Sequence, residues 1–544
     1  MSEDVFRSGA SFCRDHVSER SIYGLLYRES HRLFPDEMFA DLFADVGRAS
    51  VPPRIVAVVM VLQRLEGLSD REAVDRITFD LRWKYAAGGL DFDYAGFVHT
   101  VLVDMRARLR RSERPNRIFE AGLEVARQAG LIGRKRVLDS TALYDAVATQ
   151  DTVTLIRSAI RALLRIVDEK LGAELRSYCK RDDDYIAAGK PACDWDDAVA
   201  REALVDALAR DANTILAMLE GRELTPDVAQ AARLMATVVG QDLEQREDGR
   251  FYIARRVAKD RVISTVDPEA RHGHKTAARS FDGYKGHIAI DPDSEIITAT
   301  EVTPGNVADG SVGDVLLTDV LPSMTQDGSS VEAAPAAVEA VATATSHAEV
   351  TPSEVPSTRV EIYGDASYGT ADLVEKIEAV GAEANVKVQA PSAPAGHFGK
   401  DAFAIDVDAQ TVKCPAGVLV QIRKHTSEGG GVAMFAAACS NCALRTRCTD
   451  AKGGRAIRIH PKEATLQRCR AQQRSSTWKE RYRATRPKVE RKIAHLMVRR
   501  HGGRRARVRG TARIRQDFAM LAAAQNLARF ARLGVRRVDA TWVC

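Results

Sequence analysis

At 544 residues the chain is too long for one compact domain, so two to four are expected. Its composition is that of an ordinary globular protein, 45% hydrophobic and 28% charged, and the absence of any run of about 18 apolar residues argues against a helical membrane span. Net charge is only +5 but unevenly spread: Ala451 to Arg515 holds 22 Lys or Arg against 3 acidic residues, leaving the remainder at −14, which suggests a local polyanion contact, the alternative being an exposed basic helix pair that merely aids solubility.

The first stretch, MSEDVFRSGASFCRDHVSER, is charged throughout and lacks the apolar core of a secretory signal. A cytoplasmic protein is expected, its nine cysteines reduced or metal-bound. The first 130 or so residues read as helical. In PRIVAVVMVLQRLEGLSDREAVDRITFD one apolar helix stops at Gly67, and Ser69 with Glu72 forms a capping box that opens the next. The spacing is that of a helix-turn-helix, which many proteins that never touch DNA also use. RKRVLDSTAL then predicts a short strand carrying Asp139, followed by Ser140 and Thr141. From about Asp145 to Glu244 an apolar stripe at helical spacing (Leu155, Ile156, Ala159, Ile160, Leu163, Ile166, Val167) predicts an inserted helical bundle.

The period changes to strand at FDGYKGHIAIDPDSEIITATEVTPGN, where Tyr284–Ile290 and Glu295–Val302 flank DPDS and predict a hairpin. His272 and His274 in RHGHKT alternate without a third ligand nearby, and fit surface or phosphate-facing residues better than a metal site. Residues 325–357, rich in Ala, Ser, Thr, Val and Pro, read as a flexible surface insertion. RVEIYGDASYGT predicts a strand ending on Gly364 and Asp365, then a helix N-capped by Thr370, and NVKVQAP a further strand. Cys414, Cys439, Cys442 and Cys448 (KCPAG and CSNCALRTRC) have the spacing of a structural zinc site, the alternative being four reduced structural cysteines.

Asp139 and Asp365 each end an apolar strand segment. In a mixed sheet two such strand ends can meet, and the like charges then call for a shared divalent cation. Mg²⁺ suits oxygen ligands, and a two-metal site suits in-line attack on a phosphodiester. A third carboxylate is available in YRATRPKVERKIAHL: Tyr482, Arg486 and Glu490 are four apart, and Pro487 predicts a helix starting at about Thr485 or Arg486. Glu490 would then lie near a positive helix end, which favours its ionised form; taken alone, the alternative is one exposed glutamate on a basic helix.

In this order VLDST, the FDGYKG hairpin, YGDASYGT and Y-x3-R-x3-E resemble the DDE transposases of bacterial insertion sequences, within the branch that has a Tyr-Arg-Glu signature and a cysteine-rich insertion. The helical N-terminus resembles the domain that accompanies this branch. The resemblance implies an α/β fold: a ribonuclease-H-like mixed-sheet core divided among residues 131–145, 251–400 and 461–544, the last basic and carrying the glutamate. A helical DNA-binding domain (1–130), a helical insertion (146–250) and a zinc-ribbon-like insert (401–460) would accompany the core.

It implies catalytic roles for Asp139, Asp365 and Glu490 as ligands of two Mg²⁺ ions, with Mn²⁺ an alternative. Tyr482 and Arg486 would touch the DNA backbone or orient the glutamate. Lys488, Arg491, Arg504, Arg505, Lys275 and Lys285 would contribute to DNA binding, and RRHGGRRARVRG would neutralise phosphates. The implied function is Mg²⁺-dependent strand cleavage and transfer at the inverted-repeat ends of an element, on double-stranded DNA at the nucleoid, by at least a dimer. Two alternatives stay open: a catalytically inactive, domesticated DNA-binding relative, and a nuclease of the same fold that cuts without joining. Two features depart from the family pattern: tyrosine and arginine are usually separated by two residues rather than three, and Met497 stands where a lysine is usual.

Overall fold

The computed structural model describes residues 9–43, 51–146, 148–183, 185–187, 189–255, 258–276, 279–321, 359–424 and 430–544. The insertion expected at 325–357 lies outside the described residues. Among those described, no helix is long and apolar enough to cross a membrane.

Among the described residues seven α-helices come first: α1 (Gly9–His16), α2 (Ile22–Leu33), α3 (Pro53–Glu66), α4 (Asp70–Phe79), α5 (Leu81–Ala86), α6 (Thr100–Arg111) and α7 (Arg117–Gln128). The capping box is present as expected, with Ser69 Oγ accepting from the Glu72 N–H and the Glu72 carboxylate accepting from the Ser69 N–H. α3 closes on Gly67 in the left-handed conformation, φ +71°, which a side chain disfavours.

The core sheet comprises β1 (Lys135–Tyr144), β2 (Arg271–Thr276), β3 (Arg279–Ile290), β4 (Ile297–Pro304), β5 (Glu361–Gly364) and β6 (Glu383–Val386). Its main path runs β4-β3-β1-β5-β6, with β2 pairing the first residues of β3. β3 runs antiparallel to both of its neighbours, β4 and β1, whereas β5 and β6 run parallel to β1. The expected hairpin is thus β3–β4, and the strand expected at NVKVQAP lies slightly earlier, at β6. Pairing with β5 ends there because only Glu383 to Val386 lie opposite Glu361 to Gly364.

Alternation along the strands divides the sheet's two faces. Val137, Ile288, Ile290 and Tyr363 belong to one core, with α2, α3, α7 and the later helices α16 (Pro487–Leu496) and α17 (Thr511–Leu533), which follow α12 (Gly313–Leu316), α13 (Ala371–Ala379), α14 (Glu463–Gln472) and α15 (Ser476–Thr485). Leu138, Ala289, Ile362 and Val386 belong to the other, with Leu373, Val374 and Ile377 of a helix at Ala371–Ala379 that Thr370 caps as expected.

The helical insertion consists of α8 (Thr152–Ile166), α9 (Glu169–Tyr178), α10 (Ala198–Leu219) and α11 (Pro226–Asp242), with a hydrophobic core of its own; the expected stripe is buried there from Leu155 to Leu163, but Ile166 at the helix end is exposed and Val167 lies just beyond it. The cysteine-rich insert also has its own core, around Phe403, Val412, Phe435 and Ile457, beneath two small three-stranded sheets. The helical N-terminus, by contrast, has no separate core among the described residues. Its α3 packs along α17, and the buried side chains of both merge with one face of the sheet.

Candidate active site

β1 is the central strand, and its register sets the site. It pairs in parallel with β5 at Val137↔Tyr363, so the same offset two residues further on brings Asp139 level with Asp365. Both follow a residue of the face that α16 covers, since side chains two apart on a strand share a face. The third carboxylate arrives from that side. A helix at Ser476–Thr485 runs almost directly into α16, with Arg486 at the junction and Pro487 in the first helical position, where its missing N–H costs nothing. The Tyr-Arg-Glu residues therefore lie along one nearly continuous helical path.

Arg486 draws the three acids together. Its Nη2 stands 3.0 Å from Asp139 Oδ1 and 3.8 Å from Asp365 Oδ2, and its Nη1 stands 3.3 Å from Glu490 Oε1. The guanidinium is buried, whereas exposure of the carboxylates rises from 11% at Asp139 to 39% at Asp365 and 63% at Glu490. Burial pushes the Asp139 carboxyl up to about 6; Arg486 and the Ser140 N–H oppose this, and the neighbouring Asp365 and Glu490 add to it. Burial works against the Arg486 charge, but the acids around it, Asp139 first, outweigh that and hold its pKa above the ordinary value. Tyr482 stacks on Trp478, with ring centroids 4.6 Å apart, and donates its hydroxyl to the Gly364 carbonyl (3.1 Å), so it braces the strand end that carries Asp365.

The acids line a cleft of about 390 Å³. Lys275, Lys285 and Arg504 also line it, so basic groups share the cleft with the carboxylates. Arg504 donates to Thr141 Oγ1 (3.0 Å), and its carbonyl accepts from the Tyr144 N–H (2.7 Å), so part of the basic stretch is laid alongside β1. Arg505 sits at the same edge and donates to the Ala146 carbonyl. Lys488 and Arg491 are not brought to the cleft. They point from the opposite face of α16 and pair with Asp293 and Glu295 in the β3–β4 turn. The helix expected to start at about Thr485 or Arg486 begins at Pro487, one or two residues later, and Met497 packs against the main core.

Sequence reasoning missed Asp309. This buried aspartate accepts from Ser140 Oγ (2.5 Å) and Lys285 Nζ (2.7 Å), tying the residue after Asp139 to the cleft lysine. Its signal was local, an aspartate soon after the hairpin in TPGNVAD, but nothing in the sequence says which strand it will face. Beneath it, buried His287 hydrogen-bonds Tyr368 Oη and Thr303 Oγ1, each at 2.9 Å.

Two family descriptions match the chain: a transposase DDE domain over residues 413–531 and a transposase domain (DUF772) over residues 14–108. These matches support a DDE transposase of an insertion sequence. No curated protein and no solved structure matches. The DDE-domain match takes in the four clustered cysteines, Tyr482, Arg486 and Glu490. Asp139 and Asp365 lie outside both matched spans, and it is their contact with Arg486 that joins them to the Tyr-Arg-Glu residues.

Among the described residues no group of three or more His, Cys, Asp or Glu side chains is set as a ready-made metal cage. The donor chemistry nevertheless fits a hard cation at the acids: three carboxylates converge on one positive centre, which here is the Arg486 guanidinium. The four clustered cysteines together line one small apolar pocket, and Cys439 Sγ accepts from the Arg455 N–H at 3.5 Å. Thiol donors around one space fit zinc. His272 pairs with Asp282 (2.7 Å) and stacks edge-on against His274.

Proposed function

We propose that this transposase cleaves DNA strands at the ends of an insertion sequence and transfers them to a target, in the cleft that holds Asp139, Asp365 and Glu490. The observation that carries the reading is the convergence of three carboxylates from distant parts of the chain on the Arg486 guanidinium, at 3.0 to 3.8 Å. The antiparallel β4-β3-β1 followed by parallel β5 and β6 supports a ribonuclease-H-like core.

Asp139, Asp365 and Glu490 are the residues that would hold divalent cations, Mg²⁺ or Mn²⁺, and such ions supply charge that stabilises the attacking and leaving oxygens of an in-line displacement. The protein's own contributions are positional. Arg486 holds the acids together against their mutual repulsion, and Tyr482 fixes the strand end beside Asp365. Lys275 and Arg504 offer positive charge to a scissile strand's phosphates, and Asp309 fixes the position of Lys285 beside them. In this reading the transposase acts on duplex DNA at the nucleoid as at least a dimer, because two element ends must be paired, and zinc staples the cysteine-rich insert.

The test is an assay with Mg²⁺ and duplexes carrying the DNA that flanks the gene. Strand joining is expected. Cutting without joining would make the protein a nuclease, and binding alone a domesticated relative. Asp365→Ala should abolish cleavage and joining while DNA affinity stays within about twofold, because an electrostatic footprint survives loss of one acid. Cleavage retained by that variant would overturn the site assignment.

A further inference from the structure

A second cavity, of about 450 Å³, opens on the other side of α16 from the carboxylates. Successive residues on a helix are about 100° apart, so Lys492 and His495 face away from Glu490 and Ile493, which line the cleft. The cavity walls come from three separate parts of the chain. Arg20 and Ser21 precede α2, Lys492 and His495 lie on α16 with Arg500 just beyond it, and Arg529 and Arg532 stand on α17. Five Lys or Arg side chains and two histidines thus surround a space whose lining includes one carboxylate, Glu295.

That carboxylate is already shared. Arg491 pairs with it from outside the cavity, and Lys492, only 4% exposed, reaches it at 3.7 Å. Arg529 donates to the Ser294 carbonyl at 2.9 Å. Arg20, Arg500 and Arg532 are exposed and, among the described residues, have no acidic partner. Many exposed arginines elsewhere are matched, as Arg468 is to Glu378 and Arg481 to Glu383. Five like charges around a concave space repel one another, and an anion placed among them relieves that repulsion. Guanidinium groups favour phosphate because their forked donors match its oxygens.

We propose that this cavity is a phosphate-binding site, separate from the carboxylate cleft, and that it holds backbone phosphates of duplex DNA. The DNA source rests on the transposase reading above, whereas the phosphate chemistry does not. One helix then carries Glu490 toward the chemistry on one side and grips the nucleic acid on the other.

The experiment uses the full chain and the triple variant Arg20→Glu/Arg500→Glu/Arg532→Glu, with Arg500→Ala and Arg532→Ala singly to guard against misfolding. Binding of a mixed-sequence duplex is followed by fluorescence anisotropy over a range of salt concentrations, and thermal unfolding is followed with and without inorganic phosphate. The triple variant should lose at least about tenfold in duplex affinity, with a salt slope shallower by about 0.9 per lost phosphate contact, and the single variants should lose proportionately less. Stabilisation of the parent by phosphate, absent in the variant while duplex affinity is unchanged, would assign the site to a free phosphate group instead of DNA. Unchanged duplex affinity, salt slope and phosphate response would overturn the site. A parent that binds no duplex would refute the transposase reading, and the phosphate arm would still decide the cavity.

Discussion

Arg486 shows how much one side chain decides in this protein. Three carboxylates within reach of one another would ordinarily disperse or protonate. A buried guanidinium at their focus keeps them gathered, and Asp139, the most enclosed, still titrates near 6 because burial outweighs the attraction. His287 is the other residue whose environment has a measurable consequence. It is buried between Tyr368 and Thr303, and desolvation lowers its pKa to about 4, with Lys285 adding to the effect and Asp309 opposing it. Between about pH 4 and 6.5 the unfolded chain therefore binds a proton that the folded chain refuses, and stability falls as the pH falls through that window. We expect this to contribute on the order of 2–3 kcal/mol of acid destabilisation, absent in His287→Gln. Urea unfolding at pH 7 and pH 4.5 checks it; the same loss in both proteins would exclude His287 as the source.

At the scale of elements, α16 is a two-sided helix. Its Pro487 start, with Arg486 at the junction, aims Glu490 into the cleft, while Lys488, Arg491 and Lys492 turn to the β3–β4 turn and the basic cavity. The Tyr-Arg-Glu spacing was legible in the sequence, but the division of its basic neighbours between two faces was not: each lysine or arginine looks alike until the partner across it is known. The cysteine-rich insert is an element with a small apolar core, and cross-linking by metal would add what so few buried residues cannot. Metal analysis of the purified protein should find about one zinc per chain, lost in Cys439→Ser/Cys442→Ser together with protection of the insert from protease. A metal-free parent would leave the cysteines as reduced structural thiols.

Over the whole molecule, the N-terminal helices and the C-terminal helices behave as one packed body. Arg64 of α3 donates to the His501 carbonyl at 2.5 Å and pairs with Asp517 of α17 at 3.1 Å. A Cβ on Gly67 would stand 2.3 Å from the Arg500 carbonyl oxygen. Gly67→Ala should therefore cost at least about 2 kcal/mol, combining a left-handed backbone with a collision across this junction. The loss should appear in a single denaturant transition reported by both the N-terminal helices and the sheet, since they share a core. Two transitions, of which only the first shifts, would show that the N-terminal helices unfold separately.

The sequence by itself determined the elements whose signals are local: the capping box at Ser69 and Glu72, the β3–β4 hairpin, the Thr370 cap, the self-contained helical insertion and the three acids as candidates. Those signals rest on periodicity and on hydrogen bonds within a few residues. Only the tertiary structure decided what depends on register and approach. β1 pairing with β5 at Val137↔Tyr363 brings Asp139 level with Asp365, and Arg486 settles where the two meet Glu490. Packing of α3 on α17 draws the N-terminal helices into the core, and cations from before α2, from α16 and its end, and from α17 gather around a cavity. Contacts between residues hundreds of positions apart follow from which apolar faces meet, and no single stretch of the sequence encodes that alone.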